Sequence, residues 1–172
     1  MPITNHQAAN LAIERKFGLP RSPAWDKVQK AFLTTHPHCA ACGETGQLNV
    51  HHKFPFHYVV LCGRADLELD PRNLMTLCVR PDCQHHLLLG HLDDYESYNR
   101  NVEKFVKTYS GQTSLQIRSV AAWKKAHAAK PKHLDQMTQA EKDNFKRLLD
   151  RLFKLKPAMM TKAVRARATL NS

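Results

Sequence analysis

The sequence has no stretch of about 18 apolar residues, so no part of it reads as a membrane-spanning helix. Its opening, MPITNHQAANLAIERKF, lacks the apolar run of a secretory leader. The expected location is therefore cytoplasmic, with no membrane partner. Acidic residues are scarce: 15 Asp and Glu stand against 26 Lys and Arg, a formal net charge of +11, and no acidic tail or block offsets the excess. That balance calls for a polyanionic partner, nucleic acid first, although ribosomal and inert basic proteins share it. Internal repeats and low-complexity tracts are also missing, and 172 residues then suit one compact domain with appendages.

What is present is chemistry-bearing side chains, concentrated between residues 39 and 91. Of the five cysteines, Cys39 and Cys42 are separated by two residues and Cys78 and Cys83 by four. In a reducing compartment, closely spaced pairs favour a metal over a disulfide. Cys39-x-x-Cys42-Gly43 reads as a knuckle whose glycine lets the backbone close while two thiolates converge. With Cys78 and Cys83 added, four thiolates make a closed structural Zn²⁺ site, Zn–S about 2.3 Å, that ties distant segments together and contributes to folding. His85 or His86 in place of Cys83, or unmetallated thiols, are the alternatives. Cys62, in the run YVVLC, reads as a buried small apolar residue.

The flanks read as helical. A helix is expected over Asn5–Phe17, capped by Asn5 and ended by Gly18 and Pro20. SPAWDKVQKAFLTTHP predicts a second, with Ser22 as cap, Pro23 in the first turn, and Trp25, Val28, Phe32 and Leu33 on a core-packing face. QLNVHHKF and NLMTLC predict short strands, LELDPRN a turn-bearing loop, and CQHHLLLGH a short helix or turn. Helical character returns towards the end of YESYNRNVEKFVKTY and around SLQIRSVAAWKKAHAA. In MTQAEKDNFKRLLDRLFKLKP, Thr138 and Glu141 form a capping box, while Phe145, Leu148, Leu149, Leu152 and Phe153 line one face. That helix is expected to pack on the core rather than to dimerise or lie along DNA. The tail TKAVRARATLNS reads as a basic solvated end or a DNA-contacting arm.

The order CAACG, LNVHHKFPFH, LELDPRNLMTLC, CQHHLLLGH resembles the HNH nuclease family, and in particular small bacterial and phage HNH proteins with HH-x-x-PFH and HLLxGH patterns; the resemblance spans residues 25–102. It implies an α+β chain: a small ββα-metal (HNH) core with a structural zinc knuckle, flanked by N- and C-terminal helices. The expected divisions are 1–24, an N-terminal helical extension; 25–102, the nuclease core with its zinc site; and 103–172, a basic helical C-terminal extension. By the same resemblance His51 ligates a catalytic metal and His52 is the general base, the strand bending so that neighbours serve one site. Asn73 matches the family's middle letter, and its amide can donate and accept at once to pin the loop before the second strand against the strand carrying His52. His91 is the second metal ligand and His86 a co-ligand or phosphate contact. The five-residue spacing departs from the four of many members, an ideal α-helix placing the two about 140° apart. His85 is expected to face solvent or to support a ligand. His57 is open between a structural hydrogen bond and a site role.

The implied reaction is hydrolysis of a DNA phosphodiester to a 5′-phosphate and a 3′-hydroxyl. Mg²⁺, Mn²⁺ or Ni²⁺ is the expected catalytic ion, and a histidine near its ordinary pKa of about 6.5 the proton acceptor. Lys53, Arg72, Arg80, Lys124 and Lys125 are the candidate phosphate contacts, each equally an ordinary surface charge. DNA is the expected partner, with a second copy or a phage or host DNA-processing protein to be weighed beside it. The alternatives are a non-catalytic, zinc-stabilised nucleic-acid-binding protein and a zinc-dependent interaction protein acting through its C-terminal helix.

Overall fold

Leu48–His52 (β1) and Leu74–Cys78 (β2) pair antiparallel in a two-stranded sheet, Leu48 opposite Cys78 and His52 opposite Leu74. This computed structural model describes residues 5–154. The expected basic tail at 161–172 lies outside the described residues, as does the side chain of Asn5. Helices surround the ribbon: α1 (Asn5–Phe17), α2 (Trp25–Thr35), α3 (Phe56–Leu61), α4 (Val102–Thr108), α5 (Ser114–Ser119), α6 (Ala121–Ala128) and α7 (Gln139–Leu152). Short 3₁₀ turns at Ala65–Glu68 and Pro71–Asn73 lead into β2, and a π-helical turn spans His86–Gly90. The fold is thus α+β. Among the described residues no helix is long and apolar enough to cross a membrane.

An isolated two-stranded ribbon is marginal in water, so packing must hold it. Three apolar clusters do so. One gathers Leu77, Cys78, Leu88, Leu89, Val102, Phe105, Ile117 and Trp123. A second joins Phe54, Tyr58, Val59 and Tyr98 to Phe145, Leu149 and Phe153 of the C-terminal helix region. The third sets Phe32 of α2 against Val50 and Leu74. Residues beyond 102 therefore complete the core around the ribbon.

Local details depart from the sequence reading in three places. Helix α2 begins at Trp25, not at Pro23: Ser22 and Trp25 close a turn first, and the Ser22 hydroxyl accepts from the Ala24 amide at 3.3 Å. The stretch around SLQIRSVAAWKKAHAA is two helices, because Val120 is extended (φ −74°, ψ 128°) between them. Helix α7 has the Thr138/Glu141 capping box and packs through Phe145 and Leu149, but Leu152 is 56% exposed, beyond the reach of the core. At its end, buried Arg64 donates to Asp66 (2.9 and 2.8 Å), to Asp150 (2.9 Å) and to the Phe153 carbonyl (3.1 Å), joining the 3₁₀ turn at Ala65–Glu68 to the end of α7.

Candidate metal centres

The first cluster forms where the knuckle meets the end of β2. The Gly43 amide donates to the Cys39 carbonyl at 2.8 Å, with Gly43 at φ +77°, a conformation glycine adopts freely. The Ala40 amide bonds the Thr76 carbonyl at 2.9 Å and fixes the knuckle on β2. Four donor atoms, from Cys39, Cys42, Cys78 and His85, lie within 4.8 Å of one another. Cys42 and Cys78 are 3.9 Å apart, and His85 Nδ1 is 3.5 Å from Cys39 and 3.3 Å from Cys78. Tetrahedral ligands about 2.3 Å from Zn²⁺ stand roughly 3.8 Å apart, so the group has the dimensions of a zinc site.

This four-donor group differs from the expected four-cysteine set. Cys83, 3.0 Å from Cys78, falls outside the four-donor group. His85 takes its place. Far from facing solvent, its ring is fully buried, and Nε2 meets the Gln112 carbonyl at 3.0 Å. A carbonyl only accepts, so Nε2 carries the proton and Nδ1 keeps its lone pair for a metal. The hydrogen bond with Cys78, then burial opposed by His85, decides the ionisation of Cys39, which is held down to about 3. Cys78 is pushed up by the same contact and by burial. All five cysteines are free thiols, and Cys62 is buried as expected.

The second cluster is three buried histidines, His51 on β1 and His86 and His91 at the two ends of the π turn, with donor atoms within 4.8 Å of one another. Ring centroids are 4.8 to 5.2 Å apart and every pair is nearly edge-on, an arrangement that lets lone pairs converge instead of stacking faces. The π turn explains the five-residue spacing, because its repeat runs from i to i+5. Its displaced carbonyls find partners elsewhere: Leu88 accepts from the Trp123 indole (2.9 Å), Leu89 from the Asn99 amide side chain (2.8 Å) and Gly90 from the Asn99 backbone (2.8 Å). His91 Nδ1 donates to the Ser97 carbonyl at 2.9 Å, which leaves Nε2 for coordination. Burial drives the His91 pKa down to about 4, so the ring is neutral at neutral pH. Three imidazole nitrogens suit a borderline ion such as Zn²⁺ or Ni²⁺; the expected Mg²⁺, which seeks oxygen ligands, does not fit this donor set.

His52 is the next residue after His51 on β1 and is also buried. It stacks at 4.5 Å on Trp25, and its Nε2 donates to the Glu68 carbonyl at 2.8 Å, so Nδ1 is the basic nitrogen. Burial, and after it the charge of Arg21, hold its pKa well below the ordinary value. His52, His86 and His91 line one small cavity, of about 30 Å³, together with Arg21, His57 and Tyr95. Asn73 is fully buried: its Oδ1 accepts from the Phe54 amide (2.9 Å), and its Nδ2 donates to the Phe54 (3.0 Å) and Leu67 (2.9 Å) carbonyls. It thus joins the loop before β2 to the chain leaving β1. His57 is buried and stacks on Phe17 at 5.3 Å.

Among the candidate phosphate contacts, Lys53 pairs with Glu103 at 2.5 Å, Arg72 with Asp70 at 2.5 Å, and Arg80 with Asp82 at 2.7 Å. Lys124 and Lys125 are exposed on α6. Sequence reasoning passed over Arg21, placed then in an N-terminal extension, and the carbonyls of Glu68, Ser97 and Gln112, which no side-chain identity announces. Comparison with family models, with curated proteins and with solved structures finds no match for this chain.

Proposed function

We propose that this chain is a metal-dependent DNA endonuclease of the HNH, ββα-metal kind. One observation carries the reading: two of the three convergent histidines, His86 and His91, share a cavity with His52, whose tautomer is set by a backbone carbonyl. A closed zinc site needs no such neighbour. In this reading the Cys39, Cys42, Cys78 and His85 cluster holds a structural zinc, and His51, His86 and His91 hold a second, catalytic ion. When bound, that ion supplies neutralisation of phosphate charge and stabilisation of the leaving oxygen. His52 takes the proton of the attacking water on Nδ1, kept neutral and therefore receptive by burial and by Arg21. Asn73 keeps the loop and the strand end in register. The net charge of +11 and the exposed pair Lys124 and Lys125 supply attraction for the DNA backbone.

The test is cleavage of supercoiled plasmid by wild type and His52→Ala, with Zn²⁺, Ni²⁺, Mn²⁺, Mg²⁺ or EDTA. Cleavage that requires a transition metal and falls about 100-fold or more in the variant, at unchanged metal content, supports the reading. A wild type that binds DNA and cuts it with none of these ions overturns it in favour of a non-catalytic nucleic-acid-binding protein.

A further inference from the structure

We infer that Arg21 is the anion-binding group of the three-histidine site, its guanidinium taking a non-bridging oxygen of the phosphodiester; the inference rests on the nuclease reading for the identity of the anion. Arg21 lies in the turn between α1 and α2, and its guanidinium sits 3.9 Å from the centroid of the Phe56 ring and 4.9 Å from that of Trp25. These faces hold a planar cation in a fixed orientation without consuming its hydrogen-bond donors. Glu14 is an ion-pair partner of Nε, at 3.7 Å. The Nη1 nitrogen, by contrast, is buried and has no hydrogen-bond partner among the described residues. It belongs to a side chain lining the cavity of His52, His86 and His91.

That position is costly unless something negative enters. A buried donor without a partner destabilises the fold, and a cation beside histidines that are to bind a metal raises the positive potential further. Glu68 offsets part of the charge, but one of its carboxylate oxygens is engaged by the Ser22 amide at 2.9 Å. A tetrahedral phosphate oxygen supplies what the site lacks, an acceptor of fixed geometry that arginine recognises better than a point charge does. An arginine already oriented at rest has little reorganisation left when charge develops on the phosphate.

The probe is inorganic phosphate, titrated by calorimetry at constant ionic strength into the metal-loaded full chain, its R21M variant and its R21K variant, with plasmid cleavage measured on the same samples. R21M keeps an apolar stem against Phe56 and Trp25; R21K keeps the charge without the fork. The expected result is at least about tenfold weaker phosphate binding in R21M, cleavage slower by about 100-fold, and unchanged metal stoichiometry, with R21K weaker than wild type in both readouts. Should R21M fail to fold, R21K decides: phosphate binding and cleavage equal to wild type overturn the inference. Wild-type behaviour of R21M, or no phosphate binding by any form, also overturns it. Arg21-dependent phosphate binding in a wild type that cuts no DNA would leave the Arg21 assignment standing and remove the nuclease reading instead.

Discussion

Gly90 backs directly onto the imidazole of His51: a Cβ at residue 90 would lie 2.8 Å from the ring's Cε1 and Nδ1 and 3.1 Å from Nε2. The ring cannot easily retreat, because His86 and His91 stand on its other sides. Gly90→Ala should therefore weaken metal binding at the three histidines by at least about tenfold and leave the zinc at the cysteine cluster in place. Metal stoichiometry by elemental analysis, with a titration of the weaker site, checks this. Two ions held at wild-type affinity would sink it.

The substitution of His85 for Cys83 in the four-donor group separates two otherwise similar variants. Cys83→Ser should keep one equivalent of structural zinc and a thermal midpoint within a few degrees of wild type, about the effect of a change below 1 kcal/mol. His85→Ala should lose that zinc or unfold, since metal binding and folding are one equilibrium at such sites. The reverse ranking would restore the four-thiolate set.

Asn73→Ala removes three buried hydrogen bonds and leaves the Phe54 amide and the carbonyls of Phe54 and Leu67 without that partner. Each such group costs about 1–3 kcal/mol, so denaturant unfolding should register a loss of at least about 3 kcal/mol. Asn73→Asp retains the acceptor and loses the donors, and should fall between. A stability change below 1 kcal/mol for the alanine variant would mean the clamp is dispensable.

His57 gives the fold a pH dependence. Burial first, then the charges of His91 and Arg21, bring its pKa down to about 3, against about 6.5 in an unfolded chain. The unfolded state binds the proton first, so the contribution is complete above pH 6.5 and is lost as the pH falls towards 3, at up to about 1.4 kcal/mol per pH unit. His57→Gln should flatten the stability profile across that window relative to wild type, measured by urea unfolding at matched zinc. Parallel profiles for the two proteins would contradict the assignment.

Much of this arrangement is legible in the sequence. The two strands, the knuckle and the capping box at Thr138 follow from residue type and spacing, whereas the grouping of His51, His86 and His91 follows from the resemblance to the HNH pattern. The spacing of five was harder, since it looks wrong on an α-helix; the π turn makes it right, and that turn depends on Trp123 and Asn99 reaching carbonyls from elsewhere in the chain. The fourth donor of the cysteine cluster was ambiguous for a similar reason: Cys83, His85 and His86 are near neighbours in sequence, and it is in three dimensions that His85, held by the Gln112 carbonyl, joins the group. Arg21 gave no signal at all, because a basic residue in a turn carries no periodicity. Its meaning comes from three-dimensional proximity to rings that lie 31 and more residues away.

Arg64 has a mechanical consequence for the chemistry. It grips the turn that ends in Glu68 with one edge of its guanidinium and the last turn of α7 with the other. Glu68 is the residue whose carbonyl aims His52. The C-terminal helix is accordingly a strut for His52: releasing its far end loosens the aim of a ring that α7 never touches by hydrogen bond, so damage at Asp150 would be felt as a shift in the titration of His52.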